Sequence, residues 1–162
     1  AAPERVDHLV LLSTTPGGDE AAPMPAATLE LLQAMPGMEP VEALRAAISN
    51  ALGPRWLEER PQLVEQILAH RLQDPQDPAG WQAQAHAGTT YDGGGRLDEI
   101  TAPTLVLHGD ADDVVAPANG RLLAARLPTA RLVELAGHGH LPFWEDPDRV
   151  ARAITDFLAA TS

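Results

Sequence analysis

Two short stretches of this chain concentrate side chains able to move protons. One is Gly109-Asp110-Ala111-Asp112-Asp113, and the other is Gly137-His138-Gly139-His140-Leu141-Pro142. A carboxylate on one ring nitrogen of an imidazole fixes its tautomer and stabilises the imidazolium. The other nitrogen is then left as a general base near neutral pH. Residue types and spacing alone do not choose among the aspartates of the first stretch or between the histidines of the second. The same groups could ligate a divalent ion. Their spacing is not that of an EF-hand loop, and His-x-His alone is a weak pattern, so no metal site is expected. Phosphoryl-receiver and aspartate-phosphatase sites also cluster aspartates, but they resemble sites that use a lysine, and this chain has none.

Composition removes further chemistries. There is no cysteine, which excludes thiol nucleophiles, disulfide scaffolds and thiolate-held metals. All eleven basic residues are arginine, so Schiff-base and P-loop lysine chemistry are excluded, and no cofactor is expected. The net charge of -12 argues against a phosphate-backbone partner, so no nucleic acid is expected. Apolar runs such as Leu9 to Leu12 are too short to span a membrane. The start, Ala-Ala-Pro-Glu-Arg, shows no secretory signal, and a cytoplasmic protein is the expectation. With 162 residues, 44% of them apolar and 21% charged, the chain has the length and composition of about one globular domain.

Elements must bring the two stretches together. Val6 to Ser13, Thr104 to His108 and Arg131 to Leu135 are short apolar runs without alternation, as strands buried on both faces of a parallel sheet require. Pro117 to Leu127 reads as a helix between the second and third strands. Asp146-Pro147-Asp148 opens a terminal helix whose apolar face is Val150, Ile154, Phe157 and Leu158. Strand, helix, strand, helix is the doubly wound pattern. Both proton-moving stretches follow strand ends, where open α/β sheets carry their active groups. The first two strands lie roughly 90 residues apart, against about 30 for an ordinary βαβ unit. The excess reads as inserted helices: Ala27 to Met35, Val41 to Leu52, Pro61 to Arg71 and about Asp77 to His86.

The run Pro103-Thr104-Leu105-Val106-Leu107-His108-Gly109-x-x-Asp112-x-x-Val115, then Gly139-His140-x-Pro142 and a terminal helix, resembles the C-terminal part of an α/β-hydrolase-fold protein. Leu9-Val10-Leu11-Leu12-Ser13 resembles the strand after the nucleophile-bearing helix. Phe143-Trp144-Glu145 adds a likeness to small bacterial esterases and enol-lactonase-like hydrolases. The resemblance implies an α/β fold of three parallel strands with flanking helices. Residues 1–15 and 100–162 would form the core and 16–99 an inserted helical cap. It implies Asp112 as the triad acid and His140 as the triad base. Asp110 and Asp113 become solvated loop carboxylates, and His138 a loop or pocket-rim residue. His8, His70, His86 and His108 are expected to be structural or exposed. Trp81, Val115 and Leu141 are the candidates to line the substrate site. The substrate implied is a small apolar ester or lactone, with no membrane partner.

One part of the family pattern is missing. The fold carries its nucleophile on a strand-to-helix turn, usually Gly-x-Ser-x-Gly. The three serines, Ser13, Ser49 and Ser162, are not flanked that way, and no oxyanion-hole segment is recognisable. The chain therefore reads as the back half of a larger domain, with a first strand left as an open apolar edge. The expected partners are the missing N-terminal half or a second copy. Alone, the chain is expected neither to hydrolyse esters nor to be a stable monomer. The competing reading is a non-catalytic, hydrolase-like binding protein whose Asp–His pair is a relic.

Overall fold

Side chains of consecutive strand residues point to opposite faces, so Leu105, Val106 and Leu107 are all buried only if both faces are covered. The computed structural model, which describes residues 3–75 and 77–161, meets that condition. Three parallel strands form one sheet in the order β1 (Leu9–Leu12), β2 (Thr104–Gly109), β3 (Ala130–Leu135). The register pairs Leu9 with Thr104 and Thr104 with Ala130. On one face Leu105, Leu107 and Leu135 pack with Val150 and Phe157 of α8 (Pro147–Thr161). On the other Val106 packs with Leu97, Leu127 and Leu123 of α6 (Ala118–Arg126). All six residues of β2 are buried.

β1 departs from its expectation in length and burial. Its ladder begins at Leu9, whose N–H meets the Pro103 carbonyl at 2.9 Å. Pro3–Arg5 form a 3-10 turn before it, and Val6 is exposed. The four residues of β1 are half-buried rather than buried on both faces, because the sheet gives this strand one neighbour among the described residues.

Between β1 and β2 run α1 (Ala26–Ala34), α2 (Pro40–Ala51), α3 (Pro54–Glu59), α4 (Gln62–Gln73) and α5 (Pro78–Thr90). Helices α2 and α4 build a second core from Ile48, Leu52, Leu63, Val64, Ile67 and Leu68. Leu141, beside His140, is buried in that core. α3 and the four-residue α7 (Pro142–Glu145) have no counterpart in the sequence reading. Pro54 and Pro142 look like breaks, but each stands at the start of its helix, where a missing N–H costs nothing. No helix among the described residues is long and apolar enough to cross a membrane.

Candidate active site

The end of β2 and the loop after β3 are joined at the backbone. Ala111 donates its N–H to the His138 carbonyl at 3.0 Å, and Gly137 donates to Asp110 Oδ1 at 2.6 Å. A Cβ at Gly109 would collide with the carbonyls of His138 and Gly139, so only glycine lets the histidine loop lie across the strand end. The exposed Asp110, expected to be a solvated carboxylate, ties one loop to the other.

Asp112 is buried and has a donor on each oxygen. Oδ1 accepts the N–H groups of Val114 and Val115, both at 2.8 Å. Oδ2 lies 3.0 Å from His140 Nδ1 and 3.2 Å from His108 Nε2. Burial works against the charge of Asp112, but the hydrogen bonds from His108 and His140 outweigh it and hold the carboxyl down at about 2. The His140 side chain is 26% exposed while that of Asp112 is fully covered. With Nδ1 turned to the carboxylate, Nε2 is the ring nitrogen of His140 left for a reacting group.

Two further histidines pack around the pair. His108 is structural, as expected, but it also reaches the site: it is buried on β2, and its Nε2 faces both Asp112 and the Val115 carbonyl, the latter at 2.9 Å. Both neighbours accept, so Nε2 carries the proton. Burial acts to lower the His108 pKa, yet the Asp112 and Val115 oxygens hold it above its ordinary value. His138 lies in the loop, as expected, but not at a rim. It is 1% exposed, its Nδ1 meets the Ala136 carbonyl at 3.0 Å, and its ring stands edge-on to Trp56 with centroids 5.1 Å apart. Strand parity could have flagged His108, which shares the face of Val106. The signal for Glu145 was a lone carboxylate closing the run Leu141 to Trp144.

Glu145 is 1% exposed and accepts Gly53 N–H at 2.7 Å and Gly139 N–H at 3.0 and 3.1 Å. Burial raises its pKa against the opposing pull of these amides. The other site candidates are distributed unevenly. Val115 reaches the pair through its backbone, and Leu141 is packed under α2 and α4. Trp81 stands 44% exposed on α5, and no hydrogen bond or ring contact joins it to Asp112 or His140 among the described residues. Ser49 donates to the Arg45 carbonyl; Ser13 ends β1 with its buried Oγ unpartnered. Ser162 lies outside the described residues. No serine hydroxyl among the described residues is bonded to His140.

Comparison with known proteins identifies the setting of this pair. The alpha/beta hydrolase fold family matches residues 1–147. A 2-hydroxy-6-oxononadienedioate/2-hydroxy-6-oxononatrienedioate hydrolase of Paraburkholderia xenovorans (strain LB400) is 31% identical over 98% of this chain and 56% of its own. A thermophilic esterase from Thermogutta terrifontis superposes with TM-score 0.75 at 25% identity, over 98% of this chain and 58% of that one. Est816, an N-acyl homoserine lactone degrading enzyme, superposes with TM-score 0.72 at 28% identity, over 96% of this chain and 59% of its own. The chain spans about half the length of the curated relatives it matches.

Proposed function

The chain belongs to the alpha/beta hydrolase fold family, and on that premise we propose that it supplies the base and the acid of a hydrolase acting on an ester or lactone bond. The observation that carries the reading is the bond of 3.0 Å between His140 Nδ1 and the buried Asp112, on an imidazole still partly open to solvent. His140 Nε2 takes the proton of a nucleophile as it attacks the carbonyl carbon and gives it to the leaving alcohol; it then takes a proton from the water that attacks the acyl group and returns it to the nucleophile as the acid leaves. Asp112 holds the tautomer and stabilises the imidazolium between the transfers. No Gly-x-Ser-x-Gly occurs in the 162 residues, so the reading assigns nucleophile and oxyanion hole to residues outside them, in a further polypeptide segment or another subunit.

Residues 1–15 and 100–162 form the core in this reading, and 16–99 a cap that shapes the site. The burial of Leu141 against α2 and α4 supports a cap seated beside His140. Trp81, Val115 and Leu141 remain the proposed lining, with Trp81 reaching the substrate only if α5 closes over it. The similarity to a lactone-degrading enzyme and to an esterase supports the bond type. The dienedioate named for the Paraburkholderia relative is the second substrate class to test.

The test uses the complete reading frame that contains this chain. A short-chain chromogenic ester, a γ-lactone and the dienedioate are assayed with wild type, His140→Ala and Asp112→Asn. In comparable systems loss of the triad acid lowers kcat by roughly four orders of magnitude and loss of the base by roughly six. Ester turnover that survives His140→Ala sinks the proposal. Ligand binding without turnover of any of the three supports the non-catalytic reading.

A further inference from the structure

Glu145 closes α7 with almost none of its surface in solvent, and no cation is ion-paired to it among the described residues. Burying an unpaired carboxylate is costly unless strong donors surround it. The donors here are backbone amides from two distant segments, Gly53 before α3 and Gly139 before His140. Both segments meet at bare backbone. A Cβ at Gly53 would collide with the Gly137 carbonyl, and a Cβ at Gly139 with Gly53 and the Ala51 carbonyl. The next amide along, His140 N–H, donates to that Ala51 carbonyl at 2.8 Å. Arg60 adds a guanidinium bond to the Glu145 main-chain carbonyl at 2.9 Å.

We propose that Glu145 is a positioning residue, whose carboxylate bolts the Ala51–Gly53 segment to the histidine loop and so fixes the His140 imidazole against Asp112. The loop Gly137–His140 has two glycines and little stiffness of its own. Its geometry is set by what its amides bond to. A carboxylate serves because it offers acceptors on both oxygens and carries charge toward two N–H dipoles at once. Oε1 accepts from both amides and Oε2 from Gly139 alone; a glutamine of the same length loses the charge and sets its NH2 group against the Gly139 N–H that Oε2 accepts. Movement of α2 and α3 is therefore movement of His140. The catalytic consequence rests on the reading of His140 as the base; the mechanical coupling does not.

Amide hydrogen exchange and the imidazole proton resonances by NMR, with turnover, on the complete protein, separate the two. In Glu145→Gln, exchange at Gly53 and Gly139 rises by on the order of tenfold or more, the loss expected for a charge-assisted bond, while Leu105 and Val106 in β2 keep their protection. The His140 Nδ1 proton resonance moves with it, because the imidazole no longer rests on Asp112. In turnover, kcat falls about tenfold with little change in KM, since a displaced base is missed in the transition state. Glu145→Asp, one methylene short, exposes the same two amides and guards against a glutamine variant that fails to fold. Unchanged exchange at both glycines, or acceleration spread evenly into β2, overturns the proposal. Loss of turnover in His140→Ala with unchanged exchange in Glu145→Gln removes the clamp and leaves His140 as base. Faster exchange at the two glycines with turnover intact in His140→Ala keeps the clamp and removes its catalytic consequence.

Discussion

Four N–H groups converge on the Asp112 carboxylate, and that number sets its pH behaviour. A carboxyl held near 2 when folded, against about 3.9 when unfolded, is depressed. Its contribution is present at neutral pH, where both states are ionised, and is lost as pH falls from about 4 through 2, worth on the order of 2 kcal/mol. Chemical denaturation across that window, with Asp112→Asn as comparison, should show the variant less stable at neutral pH and the gap narrowing in acid. An undiminished gap at pH 2 would mean the site stabilises by packing alone. His108 supplies one of the four donors, so His108→Phe should raise the Asp112 pKa while His108→Gln, which keeps an N–H in reach, should not. The Asp112 Cγ chemical shift followed against pH reads this directly. These residues also mark how far the sequence reaches. Asp112 and His140 were singled out only through family resemblance, since spacing alone left the alternatives in each loop open. His108 and Glu145 escaped because their importance lies in which buried oxygen or amide they face, a property of packed loops rather than of residue type.

At the scale of elements, apolar runs and helical spacing located the three strands, four of the five helices between β1 and β2, and the two that flank the sheet. Boundaries moved by a few residues; at β1 this is because chain direction before Leu9 is set by a turn at Pro3–Arg5 and not by hydrophobicity. The two short helices were missed because proline reads equally as a break and as a first helical residue. Which elements touch was the illegible part, since the contact of α2 with the histidine loop is made through glycine backbone. That contact yields a paired prediction. Gly139→Ala must push a methyl into the Ala51 carbonyl and Gly53. It should cost on the order of 3 kcal/mol, the scale of steric overpacking. Gly88 lies in α5 with nothing within 4 Å of where its Cβ would stand. Gly88→Ala should stabilise by about 0.5–1 kcal/mol through helix propensity and unfolded-chain entropy. Urea midpoints measure both, and equal effects of the two substitutions would remove the steric argument.

Surface area is the whole-molecule quantity that speaks to assembly. A folded monomer of 17.2 kDa is expected to expose about 7,800 Å². This chain exposes 9558 Å². The excess, roughly 1,800 Å², is about twice what one partner buries in a standard interface. Among the described residues β1 has one neighbour in the sheet, and Val6 at its approach is 46% exposed. A cavity of about 650 Å³ opens there between Val6, Leu9, Tyr91 and Ile100. Leu29 and Leu32 of α1 and Trp81 of α5 add exposed apolar side chains. An apolar edge strand offers unpaired N–H and C=O groups to any chain that can complete it. The 162-residue polypeptide on its own is therefore expected to associate, through the β1 edge and the faces beside it, at micromolar concentration. Sedimentation velocity over a hundredfold dilution should show mass falling with concentration. A polypeptide that completes the sheet beside β1 should abolish that self-association by taking its place. A single 17.2 kDa species at every concentration, unfolding in one cooperative transition, would show that the extra surface is tolerated and that the edge needs no partner.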